Sequence, residues 1–109
     1  MKSYLVIVSS SPSSVQAARG LQTALDLQSK GEVSVMLIQD AVLDALKRSR
    51  LSERLMQLTS RGTSIYVLAE HLYKRGFLAD DLLENVKIAD YTQLVELMMN
   101  EETMTTGVF

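Results

Sequence analysis

The chain has 109 residues, of which 47% are hydrophobic, and it carries a formal net charge of −2 with only 11 basic side chains. This length predicts one domain over residues 1–109, because a chain of about 100 residues buries its apolar surface in a single core. The acidic balance excludes the positive field of an autonomous nucleic-acid binder. No apolar run approaches the roughly 20 residues that cross a bilayer, so we expect neither nucleic acid nor membrane as a direct partner.

Cysteine is missing from the sequence. Its absence excludes disulfides, thiolate nucleophiles and cysteine-bound metals together. A protein that needs no covalent staple is typical of the cytosol, and we therefore expect a cytoplasmic protein. Neither a metal-ligand pattern nor a nucleotide-binding glycine motif occurs, so no cofactor is predicted.

Short apolar blocks alternate with helical patterns along the chain. The first block, residues 4–8, is continuous and rich in Val and Ile, which is typical of a strand buried on both faces. Serine-rich residues 9–14 follow it and suit the start of a helix that Gly31 is expected to end. The side chains predicted to face the core on this helix are spaced three and four apart: Val15, Ala18, Leu21 and Leu25.

The same alternation continues through the rest of the sequence. The predicted strands cover residues 4–8, 33–38, 64–68, 86–89 and 104–109. The later helical patterns cover residues 41–47, 51–58, 70–74, 79–83 and 91–100, the last of them capped by Asp90. Strands that alternate with helices pair in parallel through right-handed crossovers. The sequence therefore predicts an α/β protein, a small three-layer flavodoxin-like domain whose mostly parallel sheet has four to five strands and helices on both faces.

Polar residues follow the first three predicted strands. Sites in parallel sheets form beyond the carboxyl ends of the strands, so three segments are expected to meet there: residues 9–12, 39–41 and 69–71. The serine loop around Ser10 suits a phosphate, but it lacks the glycines of known phosphate loops, and we interpret it as a capping loop. Asp40 would either orient a substrate or cation or cap a helix.

His71 is the only histidine and stands beside Glu70. The two side chains would form an acid/base pair in one interpretation. Neighbours on a helix point about 100° apart, and no nucleophile accompanies them, so a surface histidine is the favoured interpretation.

The methionines fall into two groups. Met36 and Met56 occupy positions typical of a core. Met98, with Leu94 and Val95, leaves the last predicted helix apolar around much of its circumference. Such a helix is either ordinary core or a buried subunit contact.

Three longer segments carry a resemblance to a known family: residues 37–42 (LIQDAV), 65–77 (IYVLAEHLYKRGF) and 88–97 (IADYTQLVEL). In this order and spacing they resemble the DsrE/DsrF/DsrH superfamily of sulfur-relay proteins, and within it the TusB/DsrH branch. That branch shows a strand ending in Gln/Glu-Asp-Gly-Val/Ile, a segment ending in Arg-Gly, and a helix that begins with Asp-Tyr.

The resemblance implies a small α/β subunit of a cytoplasmic complex, with TusC/DsrF-like and TusD/DsrE-like subunits as partners. Complexes of the TusBCD kind pass persulfide sulfur towards the 2-thiolation of the wobble uridine in tRNA, and DsrEFH complexes serve sulfur oxidation. In both kinds of complex the chemistry belongs to cysteine.

This sequence departs from the family pattern at several positions. The carrier cysteine, eight residues before the glycine of the Arg-Gly pair, corresponds to Leu68, and a first-helix cysteine of some DsrH-type chains corresponds to Ala24. Ala41 replaces a glycine, and His71 stands where Asp is common. Neither functional cysteine can be carried over to this chain.

We therefore expect a non-catalytic TusB/DsrH-like subunit that supports tRNA thiolation by packing rather than by turnover. The residues expected at a cleft or interface are Ser10, Gln39, Asp40, Glu70, His71, Tyr91 and Met98. The alternative is a stand-alone, homo-oligomeric DsrE-like protein that binds a nucleotide, a flavin or a small anion at the strand ends. An enzyme that uses Glu70 and His71 is the third hypothesis.

Overall fold

The computed structural model describes residues 2–109 and contains five strands joined by helices. The strands are β1 (Ser3–Val8), β2 (Glu32–Leu37), β3 (Ser64–Leu68), β4 (Val86–Ala89) and β5 (Thr103–Val108). The α-helices are α1 (Val15–Leu27), α2 (Ser52–Ser60), α3 (Ala69–Lys74) and α4 (Tyr91–Met99). Two 3-10 helices cover Gln39–Ala45 and Ala79–Asp81. The predicted alternation of strands and helices is confirmed.

All five strands run parallel in one sheet, in the order β4-β3-β2-β1-β5. This confirms the predicted α/β class, with a sheet that is entirely parallel. The chain adds strands in one direction from β1 to β4 and then returns to place β5 on the other side of β1. Because crossovers between parallel strands share one hand, this reversal sends α4 to the face opposite α1, α2 and α3.

A hydrophobic core lies on each face of the sheet. The larger core joins α1, α2 and α3 to the strands and includes Leu21, Leu58 and Leu72. The smaller core lies under α4, and its buried residues are Leu5, Ile7, Met36, Leu68, Ala89 and Leu94. Since β1 contributes alternate side chains to both cores, the prediction of a strand buried on both faces is confirmed.

The helices begin and end at residues suited to capping. Ser14 Oγ accepts a hydrogen bond of 3.1 Å from a backbone N–H in the first turn of α1. Asp90 and Gln93 form a reciprocal capping box at the start of α4, which confirms the predicted cap. Gly62 and Gly76 follow α2 and α3 with φ values of 95° and 83°, a region in which any side chain is strained.

The buried face of α1 differs in part from the predicted one. Val15 is 66% exposed, and the buried residues of the helix are Ala17, Gly20, Leu21 and Ala24. Small residues line this face because α1 packs closely on the sheet. A Cβ on Gly20 would lie 2.9 Å from side-chain atoms of both Val8 and Phe109. Of the four residues predicted to face the core, Leu21 is buried, Leu25 packs partly buried against the core and Ala18 is partly buried, whereas the prediction for Val15 was wrong.

Three smaller expectations are also corrected. Gly31 does not end α1, which stops at Leu27; instead it lets the backbone pass close to the carbonyl oxygen of Lys2, where a Cβ would collide. The run predicted over residues 41–47 is the 3-10 helix Gln39–Ala45, which starts one residue after β2, at Gln39. Met56 is 55% exposed rather than part of the core, because the buried residues of α2 are leucines on another side of the helix.

Candidate functional site

The polar residues meet where two neighbouring strands send the chain to opposite faces. After β3 the chain enters α3 on one face, and after the adjacent β4 it enters α4 on the other. Such a divergence leaves a crevice at the carboxyl ends of the strands, which is the usual place for a site in an open parallel sheet. We call the residues gathered there the strand-end site: Gln39, Asp40, Glu70, His71, Arg75 and Tyr91.

The His71 ring forms the centre of the strand-end site. Its Nδ1 accepts a hydrogen bond of 2.7 Å from the backbone N–H of Gln39, and its Nε2 lies 2.7 Å from Tyr91 Oη. The two rings meet edge to face, with centroids 5.7 Å apart. One side chain therefore joins the segments that follow β2, β3 and β4.

The hydrogen bonds define the protonation of His71. A backbone N–H can only donate, so Nδ1 carries no proton, and the neutral ring holds its proton on Nε2 and donates it to Tyr91 Oη. Burial lowers the pKa of His71 from the ordinary value of 6.5, and the nearby Arg75 guanidinium lowers it further against the opposing effect of Glu70. The ring is therefore neutral at physiological pH.

Gln39 holds an uncommon backbone conformation at this site. Its φ is 50°, in the left-handed region that residues with a Cβ rarely adopt. A single residue held there costs about 1–3 kcal/mol. The bond from its N–H to His71 Nδ1 helps to hold this strained backbone.

Arg75 belongs to the strand-end site, although we did not predict it there from the sequence. Its guanidinium lies 3.1 Å from Asp40 Oδ1 and donates a further bond of 3.1 Å to the carbonyl oxygen of His71. The signal was present in the Arg-Gly pair of the family pattern, to which we assigned no role in the site. The ion pair is largely exposed, so it orients Asp40 more than it stabilises the fold.

Glu70 does not pair with the histidine ring. Its Oε2 lies 3.5 Å from the backbone N–H of Tyr91, at the amino end of α4, where the helix dipole favours a negative charge. The acid/base pair considered from the sequence is therefore not formed, because the two side chains leave α3 in different directions.

Ser10 and Met98 lie away from the strand-end site. Ser10 Oγ donates a bond of 2.8 Å to the carbonyl oxygen of Phe109, next to the end of β5. Met98 is 47% exposed near the far end of α4. The structure therefore gathers five of the seven residues that we predicted for a cleft or interface and separates these two.

The surroundings of the site define what it can hold. A cleft of about 520 Å³ is lined by Gln39, Asp40, His71, Lys74 and Arg75. Within residues 2–109, no three histidine, aspartate or glutamate side chains are grouped so as to hold a metal ion. No helix in the described part of the chain is long and apolar enough to span a membrane.

The positions at which relatives would carry cysteine are filled by hydrocarbon. Leu68 ends β3 and is fully buried under α4, and Ala24 is fully buried between α1 and the sheet. Neither position has access to the cleft, because both side chains point into cores.

The fold and the site together define a small, all-parallel α/β protein with a polar strand-end cleft and no sulfur nucleophile. Residues 11–104 match the family described as DsrH like protein, so the chain belongs to the DsrH family. Proteins named TusB from Yersinia pestis (strain Pestoides F) and Yersinia pseudotuberculosis serotype O:1b (strain IP 31758) are 32% identical to it over 71 residues, which cover 65% of this chain and 70% of theirs.

Solved structures confirm the fold independently. The ychN protein from E. coli superposes with a TM-score of 0.86 at 18% identity, covering 97% of this chain and 100% of its own. The protein of unknown function MTH1491 from Methanobacterium thermoautotrophicum gives a TM-score of 0.80, also at 18% identity, over 96% of this chain and 98% of its own. At these identities the likeness concerns the fold alone.

Proposed function

We propose that this protein is a non-catalytic TusB/DsrH-like subunit of a cytoplasmic sulfur-relay complex, and that the complex supports 2-thiolation of the wobble uridine in tRNA. Membership of the DsrH family and the TusB names of the Yersinia relatives support this proposal. The absence of cysteine supports a role in which another subunit carries the sulfur.

The observation that carries the proposal is the outward face of α4. Val95, Met98 and Met99 are 49%, 47% and 76% exposed, and we call these three residues the docking face. The inward side of the same helix packs Leu94 and Leu97 on the sheet. A helix that is apolar on both sides suits a position between its own sheet and a second subunit.

TusC/DsrF-like and TusD/DsrE-like subunits are the proposed occupants of the docking face. Tyr91 begins α4 and binds His71, so the strand-end site lies at one end of this helix. A partner that covers α4 would therefore reach the strand-end site as well. In such an arrangement this chain would shape the surroundings of a sulfur carrier that the partner supplies.

Purification of the tagged protein from its native host tests the complex. We expect cysteine-bearing DsrE-like and DsrF-like relatives to co-purify in constant ratio, and deletion of the gene to lower the 2-thiouridine content of tRNA. Recovery of the protein without such relatives would overturn the proposed complex. Unchanged 2-thiouridine with an intact complex would overturn the tRNA pathway.

The substitution Met98→Glu tests the docking face directly. A charge at the centre of an apolar contact should lower recovery of the partners about tenfold, because an unpaired charge is costly to bury. Met56→Glu is the matched control, since Met56 is similarly exposed, at 55%, on α2 across the sheet. Equal losses in both variants would count against the docking face.

The cleft favours one alternative function, a homo-oligomer that binds a nucleotide, a flavin or a small anion. Lys74 lines the cleft and would attract a negative charge, beside Arg75, which is paired with Asp40. ATP, FMN and inorganic phosphate should then raise the melting temperature in a saturable way. Recovery of the protein only with copies of itself, together with such a shift, would favour this alternative.

A further inference from the structure

His71 joins three strand ends that the chain reaches separately. The residue itself follows β3, its Nδ1 binds the Gln39 N–H after β2, and its Nε2 binds Tyr91 Oη after β4. Glu70 and Arg75 each connect only two of these segments. The imidazole ring is therefore the side chain that contacts both of the other segments at once.

Only one protonation state of the ring fits these contacts. The neutral ring accepts at Nδ1 and donates from Nε2. A second proton can go only to Nδ1, where it would face the Gln39 N–H across the present 2.7 Å separation. Two donors cannot share a hydrogen bond, so protonation and the Gln39 bond exclude each other.

Charged groups lie on all three segments, and those that act on the ring belong to α3 and its end. On α3, Arg75 and Lys74 disfavour a positive ring and Glu70 favours one. Asp40, after β2, is paired with Arg75, and Asp90, before α4, is engaged in the capping box. The cations and the partial burial of the ring outweigh Glu70, so the neutral ring is the favoured form.

The Gln39 backbone would move once its bond is lost. Its φ of 50° is held against an intrinsic preference for negative φ. Without an acceptor for its N–H, the segment can relax towards an ordinary conformation. Asp40 would move with it, because the two residues are adjacent at the start of the 3-10 helix Gln39–Ala45.

We propose that His71 is an acid-labile tie, whose protonation at Nδ1 breaks the bond from the Gln39 backbone to α3 and loosens the strand-end site, with the Arg75–Asp40 ion pair as the remaining polar link of this segment to α3. The proton comes from solvent, and the bond that is lost is the one from Gln39 N–H to Nδ1. Its effect on subunit contacts rests on the proposed function, because only a partner that covers α4 would sense the change.

A pH titration of the full chain, followed by NMR in the absence of other subunits, tests the tie. Between about pH 7.5 and about pH 5, the Gln39 amide signal should shift with the same midpoint as the His71 ring signals, and this midpoint should lie below 6.5. In His71→Asn, whose side-chain oxygen can still accept the Gln39 N–H and does not titrate, the Gln39 signal should stay constant. A Gln39 amide in the unsubstituted protein that ignores the His71 titration would overturn the proposal.

The affinity for co-purified partners supplies the second measurement. Between about pH 7.5 and about pH 5.5, binding should weaken about tenfold in the unsubstituted protein and stay constant in His71→Asn. If the Gln39 amide signal follows the His71 titration but the affinity for partners does not change with pH, the tie stands. The proposed contact of a partner with the strand-end site is then wrong. If binding weakens equally in His71→Asn, the acid effect lies elsewhere and the regulatory role of the tie is overturned.

Discussion

Asp44 is the side chain that departs furthest from the usual rules of burial. It lies in the 3-10 helix Gln39–Ala45 with no exposed surface, and neither carboxylate oxygen has a hydrogen-bond partner among residues 2–109. An ionised carboxylate without partners is costly to bury. Burial accordingly raises the pKa of Asp44 from 3.8 to about 8, so below this pH the folded protein holds mainly a neutral carboxylic acid at this position.

The raised pKa of Asp44 predicts the direction of a pH effect on stability. Between pH 3.8 and about 8 the folded state binds a proton that the unfolded state has released, so the free energy of unfolding falls as the pH rises through this window. In Asp44→Asn this decline should disappear, and the melting temperature at about pH 8 should rise by about 4–8 °C or more. Thermal unfolding over a pH series measures both effects.

Asp80→Asn is the control for Asp44→Asn, since Asp80 is exposed in the 3-10 helix Ala79–Asp81. It should leave the pH dependence unchanged. His71 should affect stability in the direction opposite to Asp44. Because its pKa is lowered in the folded state, the free energy of unfolding falls as the pH falls below 6.5. A melting temperature of Asp44→Asn that still declines from about pH 4 to about pH 8 would contradict the assignment to Asp44.

At the scale of elements, α1 packs closely against the sheet because Gly20 has no side chain. Gly20 lies under Val8 and Phe109, and both neighbours would be 2.9 Å from an added Cβ. Helix propensity favours Ala over Gly by about 1 kcal/mol, but an added methyl group in a packed core costs about 1–3 kcal/mol. The two effects oppose each other, and packing outweighs propensity because Val8 is fully buried.

The substitution Gly20→Ala should therefore lower the free energy of unfolding by about 1 kcal/mol. Gly107→Ala is the matched control, because an added Cβ there meets no atom within 4 Å. Urea unfolding of the two variants measures the difference. A Gly20→Ala variant that is as stable as the Gly107→Ala variant would show that α1 can move away from the sheet at little cost.

The whole molecule is asymmetric about its sheet. Three α-helices cover one face, and α4 covers the other above a core of six buried residues among those described. The outer side of α4 exposes the docking face, and β5 beside it is an edge strand. Elements with few buried contacts open before the rest of a protein, so α4 is expected to be the least protected α-helix of nine or more residues.

Hydrogen exchange measures this asymmetry. Amides of α4 should exchange faster than those of α1 in the isolated protein, and binding of the proposed partners should slow exchange in α4 while leaving α2 unchanged. If binding of the partners slowed exchange in α2 instead of α4, the subunit contact would lie on the other face of the sheet. Equal exchange of α1 and α4 would show that the small core holds α4 as firmly as the large core holds α1.

Much of the architecture follows from local signals in the sequence. Residues 64–68 and 86–89 form strands over the predicted bounds, since a short apolar block between polar turns has few other ways to bury its side chains. Asp90 caps α4 as predicted, because capping depends on residues only three apart. The expected gathering of the segments around Asp40 and His71 follows from strand polarity alone.

Tertiary structure decided what depends on distant parts of the chain. The buried face of α1 is determined by the close contact of Gly20 with Phe109. Helix α4 lies alone on its face of the sheet because the chain returns to place β5 beside β1. The ion pair of Arg75 in the strand-end site is formed with Asp40, 35 positions away. The sequence by itself determined the elements, their order and the absence of a sulfur nucleophile, because these are local or compositional properties. Which side chains meet, and which apolar face remains open to a partner, was decided by packing between segments that are remote in sequence.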